Sequence, residues 1–198
     1  MKLRVVICGQ KRFGLEVLQI CERFAFTIEA VVVPSTDTTL LRYSLNRGYR
    51  TIYSEEMSAD SFPNKFDIGI MAHSFDFINE RIRSMAITGW LGYHPSLLPR
   101  HRGKSAIEWA LRMKDVITGG TLYWLNEKMD EGDIAYQDWI FLDHSISAKQ
   151  VWDQELLPLG LRLFRQAFHD IKTGVVIRHS QDRNAKFATK EPSVVAKS

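Results

Sequence analysis

The chain is 198 residues long, 45% hydrophobic and 25% charged, with a formal net charge of +3. That length suits one domain and is small for two, and it buries roughly 70% of its unfolded surface, enough to need no disulfide or metal staple. Five tryptophans and 11 phenylalanines exclude disorder over most of the length, the mild positive charge does not call for a nucleic-acid partner, and no apolar run is long enough to span a membrane.

The first apolar run, Leu3-Arg4-Val5-Val6-Ile7-Cys8-Gly9, is rich in β-branched residues and ends on glycine, the pattern of a buried parallel strand rather than a leader peptide. Residues 13–24 place Leu15, Val17, Leu18, Cys21 and Phe24 at helical spacing, and 27–33 form a second strand stopped by Pro34. Strand, helix and strand in about 33 residues fit a βαβ crossover. The alternation continues with a helix at 40–46, a short strand at 49–53, a buried strand at 66–72, a helix at 79–86 and a strand at 89–93. A loop with Pro95 and Pro99 leads to a helix at 104–112, then to strands at 120–125 and 134–141. The longest helix covers 147–172, with Pro158 expected to kink or split it and Gly174 placed as its C-cap. The domain expected is residues 1–175, followed by a polar, basic tail at 176–198. This alternation defines an α/β fold, a doubly wound, mostly parallel, Rossmann-like sheet in a single domain. Ligands in such folds bind beyond the carboxyl ends of the strands, which selects the loops after Gly9, Ala72, Tyr93 and Leu125.

Cys8 and Cys21 each lie inside an apolar element, so buried reduced thiols and a cytoplasmic location are expected. The loop Gly9-Gln10-Lys11-Arg12-Phe13-Gly14 is not a dinucleotide fingerprint, because Lys11 occupies the second glycine position. Gln10, Lys11 and Arg12 at a helix start can hold a phosphate, or simply form a solvated turn. No metal-ligand pattern is present. Trp139 and Trp152 are either core aromatics or the marks of an interface, so a homodimer is compatible with the sequence.

Chemistry concentrates in Gly92-Tyr93-His94-Pro95-Ser96-Leu97-Leu98-Pro99-Arg100-His101-Arg102-Gly103. His94 ends a strand and precedes a proline, which confines its backbone to extended geometry and aims it at the ligand crevice. The acidic turn Met129-Asp130-Glu131-Gly132-Asp133-Ile134 follows 36 residues later, with Asp130 best placed to face the same crevice. A histidine and a carboxylate on neighbouring loops suit acyl chemistry, one polarising a carbonyl oxygen and the other managing an amine's protons. Arg100 and Arg102 read equally as rim charge or as a solvated loop.

The order of His-Pro-Ser-Leu-Leu-Pro, Arg-Gly, Gly-Gly-Thr and Met-Asp-Glu-Gly-Asp-Ile resembles the folate-dependent formyltransferases, a family that includes glycinamide ribonucleotide transformylase, the catalytic domain of methionyl-tRNA formyltransferase and sugar N-formyltransferases. The resemblance spans roughly residues 1–175. It implies the formyltransferase fold, with transfer of a formyl group from 10-formyltetrahydrofolate to the primary amine of a small-molecule acceptor. His94 then resembles the histidine that stabilises the oxyanion, and Asp130 the aspartate that assists proton transfer. The segment 71–78, with Phe75, Phe77 and Ile78, resembles the pterin-binding stretch, shared with Asn126, Glu127 and Asp130. The stretch beyond the long helix is about 25 residues, so an RNA-binding extension and a tRNA acceptor are not expected. An amino sugar nucleotide or a glycinamide ribonucleotide fits better, with Lys11 and Arg12 near its phosphate. Gly92 stands where the family carries an asparagine that binds the formyl oxygen, and Tyr123 where some members carry a histidine. The alternatives are a folate-binding module without catalysis, or hydrolysis of the formyl-folate; His73 and Asn126 are the candidates to replace the missing donor.

Overall fold

The structure, a computed structural model, describes residues 2–182, 184–192 and 194. The strands are β1 (Arg4–Gly9), β2 (Thr27–Val33), β3 (Thr51–Tyr53), β4 (Phe66–Ala72), β5 (Ala86–His94), β6 (Ile117–Trp124) and β7 (Ile134–Phe141). The helices are α1 (Lys11–Arg23), α2 (Leu40–Asn46), α3 (Glu80–Arg83), α4 (Ala106–Arg112), α5 (Ala148–Val151) and α6 (Leu157–Lys172). The seven strands form one sheet in the order β3-β2-β1-β4-β5-β6-β7. The pairings of β1 with β2, β1 with β4, β2 with β3 and β4 with β5 are parallel, and that of β6 with β7 is antiparallel. This is the mostly parallel α/β architecture that the alternating pattern defines.

The described residues divide into two compact units, one of residues up to Gly92 with Phe168–Gly174, the other of Tyr93–Ala167 with those from Val175 on. In the first unit, Val5, Val6, Ile7 and Cys8 of β1 and all seven residues of β4 are buried. A parallel strand covered on both faces needs a near-continuous apolar run; the buried exception in β4, Asp67, accepts from the Arg4 N–H at 2.6 Å. Helix α1 buries Phe13, Val17, Leu18 and Cys21 along one stripe. Its start lies close to the sheet: a Cβ on Gly9 would stand 2.7 Å from the Ala72 carbonyl oxygen, so glycine is required there by contact and not by phosphate chemistry. Cys8 and Cys21 are free and buried, and burial pushes both thiols well above their ordinary range.

In the second unit, β7 alternates half-buried with exposed side chains, and Trp139 and Phe141 are exposed and meet edge-to-face at 5.2 Å. Trp152 is half-buried beside Tyr93, their ring centroids 6.3 Å apart. The helix expected at 147–172, kinked or split at Pro158, is split: Trp152–Leu156 is one π turn between α5 and α6. Pro158 has no N–H to donate, and the wider turn just before it absorbs the interruption. Half-buried Tyr93 donates from its hydroxyl to the Leu156 carbonyl at 2.7 Å, at the end of that turn. Tyr93→Phe leaves this carbonyl short of a donor and should cost about 1–3 kcal/mol. Urea unfolding checks it; an unchanged midpoint would show that the π turn satisfies itself.

Several boundaries differ from the sequence pattern. Strand β5 starts at Ala86 and β6 at Ile117, because Ile87-Thr88 and Ile117-Thr118 are β-branched pairs that join the strands. Helix α3 shrinks to one turn, with the Asn79 side chain accepting from the Ile82 N–H at 3.0 Å. No helix among the described residues is long and apolar enough to cross a membrane.

Candidate functional site

His94 closes β5, and Asp130 sits in the turn between β6 and β7; both belong to the second unit. Their side chains are 8% and 10% exposed, and His94 Nδ1 lies 3.7 Å from Asp130 Oδ2. The other ring nitrogen, Nε2, is 2.7 Å from the backbone carbonyl of His101. A carbonyl oxygen only accepts, so Nε2 donates there, and the Nδ1 edge is what the ring presents to Asp130.

Three contacts fix the Asp130 carboxylate. The Tyr123 hydroxyl donates to Oδ1 at 2.8 Å, the Gly103 N–H donates to Oδ2 at 2.8 Å, and His94 Nδ1 borders Oδ2. Burial pushes the Tyr123 phenol well above its ordinary range, and the Asp130 charge and hydrogen bond push it the same way, so the hydroxyl stays a donor. Asp130 adopts φ +56, a left-handed conformation that costs a non-glycine residue about 1–3 kcal/mol unless its surroundings hold it. Gly132 makes the turn tight enough: a Cβ there would collide with the Trp124 carbonyl oxygen. Next to Asp130, Glu131 pairs with Arg102 at 2.9 Å, with side chains 14% and 11% exposed.

The loop after His94 is equally fixed. Arg100 donates from Nε to Asp115 Oδ2 at 2.8 Å, and His101 is buried with Nε2 2.7 Å from Asp115 Oδ2 and Nδ1 3.1 Å from Glu191 Oε1. Burial alone would raise the Asp115 carboxyl; the hydrogen bonds and charges of Arg100 and His101 outweigh it and hold that carboxyl below its ordinary range. Arg100 and Arg102 therefore act in ion pairs within this unit rather than as a solvated rim.

The remaining candidates lie apart from this pair. Asn126 is half-buried, and its side-chain oxygen accepts from the Lys128 N–H at 2.9 Å, closing the start of the turn; Glu127 is exposed. In the first unit, Phe75 and Phe77 are 63% and 72% exposed, whereas Ile78 is buried. The carboxylate of Asp76, between Phe75 and Phe77 in the sequence, accepts from Ser74 at 2.6 Å and Ser54 at 3.1 Å. His73 has φ +59, and burial, assisted by the charge of Lys11, holds its imidazole below the ordinary range. Gln10 is extended, and its N–H donates to the Ala72 carbonyl at 3.3 Å. The Lys11 N–H donates to Asp37 Oδ2 at 2.7 Å, and Arg12 pairs with Glu16 at 2.6 Å. The start of α1 thus already holds an anion, the Asp37 carboxylate. Sequence reasoning missed three groups that shape the site: the Gly103 N–H, the His101 carbonyl and Gln181, whose amide donates to the Asp130 and Gly132 carbonyls at 3.0 and 2.6 Å. Gly103 and His101 lay within the quoted motif; nothing in the sequence marks Gln181.

A mostly parallel sheet carries a buried histidine and carboxylate on its strand-end loops, where ligands bind in α/β folds. The formyl transferase family model matches residues 40–156, more than half of the chain, and the chain belongs to this family. It is 31% identical over 115 residues to cytosolic 10-formyltetrahydrofolate dehydrogenase of Xenopus tropicalis, a match over 58% of this chain and 13% of that protein. It is 28% identical over 196 residues to methionyl-tRNA formyltransferase of Methylacidiphilum infernorum (isolate V4), over 91% of this chain and 61% of that one. The chain therefore spans only part of the length of these relatives. Among solved structures, glycinamide ribonucleotide transformylase 1 from Symbiobacterium toebii superposes with a TM-score of 0.75 at 17% identity, over 91% of this chain and 93% of that one. The N-formyltransferase from Helicobacter canadensis, in complex with folinic acid and dTDP-3-aminofucose, gives 0.79 at 17% identity, over 96% and 70%. The two structures share the fold.

Proposed function

We propose that this chain transfers a formyl group from 10-formyltetrahydrofolate to the primary amine of a small, phosphorylated acceptor of the amino sugar nucleotide or glycinamide ribonucleotide type. The observation that carries the reading is the buried His94–Asp130 pair, 3.7 Å apart, with the carboxylate held by the Tyr123 hydroxyl and the Gly103 N–H. The acceptor nitrogen attacks the formyl carbon, and negative charge grows on the formyl oxygen. Nε2–H is committed to the His101 carbonyl, so His94 stabilises that oxygen from Nδ1 as the imidazolium, the form in which both ring nitrogens donate. Asp130 accepts the proton that the amine loses as it forms its new bond to carbon. The bond from the formyl carbon to the folate nitrogen then breaks, and that nitrogen gains a proton; one proton in all passes from amine to folate.

Gly92 supplies no side-chain donor, so the oxyanion depends on His94 more heavily than in a site with an asparagine at that position. Exposed Phe75 and Phe77 of the first unit offer flat apolar surface suited to a pterin. Gln10, Lys11 and Arg12 are assigned to the acceptor's phosphate. Because Asp37 holds the Lys11 N–H, the Lys11 ammonium rather than the helix end would make that contact. Two free buried thiols accord with a reducing compartment such as the cytoplasm.

The test is spectrophotometric release of tetrahydrofolate with glycinamide ribonucleotide, with nucleotide-linked amino sugars, and with no acceptor. Acceptor-dependent release with one of these amines is expected. Release that proceeds equally without an amine would replace the transferase reading with hydrolysis, and tight binding of a folate analogue without any release would leave a binding module.

A further inference from the structure

The second unit contains a segment outside the matched family region that bonds Asp130 and also His101, whose carbonyl holds the His94 ring. Among its described residues, His179, Gln181, Thr189 and Glu191 bond residues of the two loops that carry His94 and Asp130. The backbones of His179 and Ile134 exchange hydrogen bonds of 2.7 and 2.9 Å, which sets the segment beside the acidic turn. From there the Gln181 amide donates to the carbonyls of Asp130 and Gly132. Farther on, Thr189 Oγ1 accepts from the His101 N–H at 2.8 Å, and Glu191 Oε1 lies 3.1 Å from His101 Nδ1.

Asp130 and His101 share a second property. Both are non-glycine residues in the left-handed region, at φ +56 and φ +54. Such conformations persist only where neighbouring groups hold them. In both cases the segment bonds the strained residue's own backbone, the Asp130 carbonyl and the His101 N–H. Asp130 carries the carboxylate, and the His101 carbonyl fixes the His94 ring. Glu191 adds a cost that packing does not explain: its side chain is 9% exposed, and its Oε2 has no hydrogen-bond partner among the described residues.

We propose that this C-terminal segment is a brace for the formyl-transfer site, with Gln181 a positioning residue for Asp130, and Thr189 and Glu191 positioning residues for His94 through His101. The inference rests on the transferase reading above, but its geometry can be tested separately. Gln181→Met removes the two donated bonds at similar volume, Thr189→Val removes the acceptor for the His101 N–H, and Glu191→Ala is paired with Glu191→Gln, which keeps an acceptor. The measurements are kcat and KM for tetrahydrofolate release per folded molecule, and the ¹⁵N shifts of the His94 ring, assigned by its loss in His94→Ala.

We expect kcat to fall about 10- to 100-fold in Gln181→Met and Thr189→Val, because a small misplacement of a reacting group costs that much, with KM changed less than about twofold. Glu191→Gln should recover most of what Glu191→Ala loses, and the His94 ring shifts should move in Thr189→Val and Glu191→Ala. Lower melting temperatures with unchanged kcat per folded molecule and unmoved His94 shifts would make the segment a plain structural strap and overturn the proposal. If one variant fails to fold, the Glu191 pair decides at the other end. Should the wild type transfer no formyl group, the transferase reading falls, and the ring shifts still decide whether the segment sets His94.

Discussion

Asp130→Asn should lower kcat by about 100- to 10,000-fold while leaving the fold intact, the range expected when a positioned proton acceptor is removed. The substitution keeps side-chain volume at a position that is 7% exposed. One amide oxygen can still accept from the Gly103 N–H or from the Tyr123 hydroxyl, but the amide nitrogen then faces the other group. Tyr123 can rotate its hydroxyl to accept; the Gly103 N–H cannot reverse. The arrangement expected therefore keeps oxygen toward Gly103 and nitrogen toward Tyr123, with stability within about 1–2 kcal/mol of wild type. What is lost is the capacity to take a proton from the attacking amine. His94→Ala should cost about 100- to 1,000-fold by removing the group that meets the oxyanion. Because the two act on one transition state, the double variant should lose far less than the product of the single losses. Single-turnover kinetics checks this. Near-wild-type rates in Asp130→Asn, or losses that multiply, would mean that the pair does not work as a unit.

Gly132→Ala should be the most damaging substitution of a residue that takes no part in the chemistry. A Cβ at this position would collide with the Trp124 carbonyl oxygen and crowd the Trp124 carbonyl carbon at 2.8 Å. Both are backbone atoms of β6, so no rotamer change relieves the contact. The turn has to open, although the Trp124 N–H donates to the Asp133 carbonyl at 2.8 Å across it. We expect a loss of about 3 kcal/mol, at the upper end for overpacking. Opening also carries Asp130 away from Tyr123 and Gly103, so kcat per folded molecule should fall about 100-fold. Chemical denaturation and active-site titration separate the two effects. A variant of wild-type stability would show that the turn is looser than its contacts imply.

The strand and helix pattern of this protein was legible because burial on both faces of a parallel sheet demands near-continuous apolar runs. Residues 27–33, 40–46, 66–72 and 134–141 carry boundaries in the sequence that match β2, α2, β4 and β7. Boundaries slipped where propensity and context competed. The β-branched pairs at 87–88 and 117–118 joined strands, whereas the split expected at Pro158 falls at the π turn just before it. His94 and Asp130 stood out because proline after one and glycine two residues after the other fix local backbone that periodicity does not require.

By itself the sequence determined the alternation of elements, the sheet they form and the two loops where reactive side chains gather, since each depends on short-range pattern and on which residues must leave water. Only the tertiary structure decided the 3.7 Å separation of imidazole and carboxylate, the direction of the His94 ring, the roles of Tyr123 and Gly103, and the occupation of the α1 start by Asp37. It alone brought Gln181 to Asp130, 51 residues away in the chain. Such contacts depend on how distant segments close on one another and on the left-handed turns at His101 and Asp130, whose strain is held by groups that no local pattern reveals.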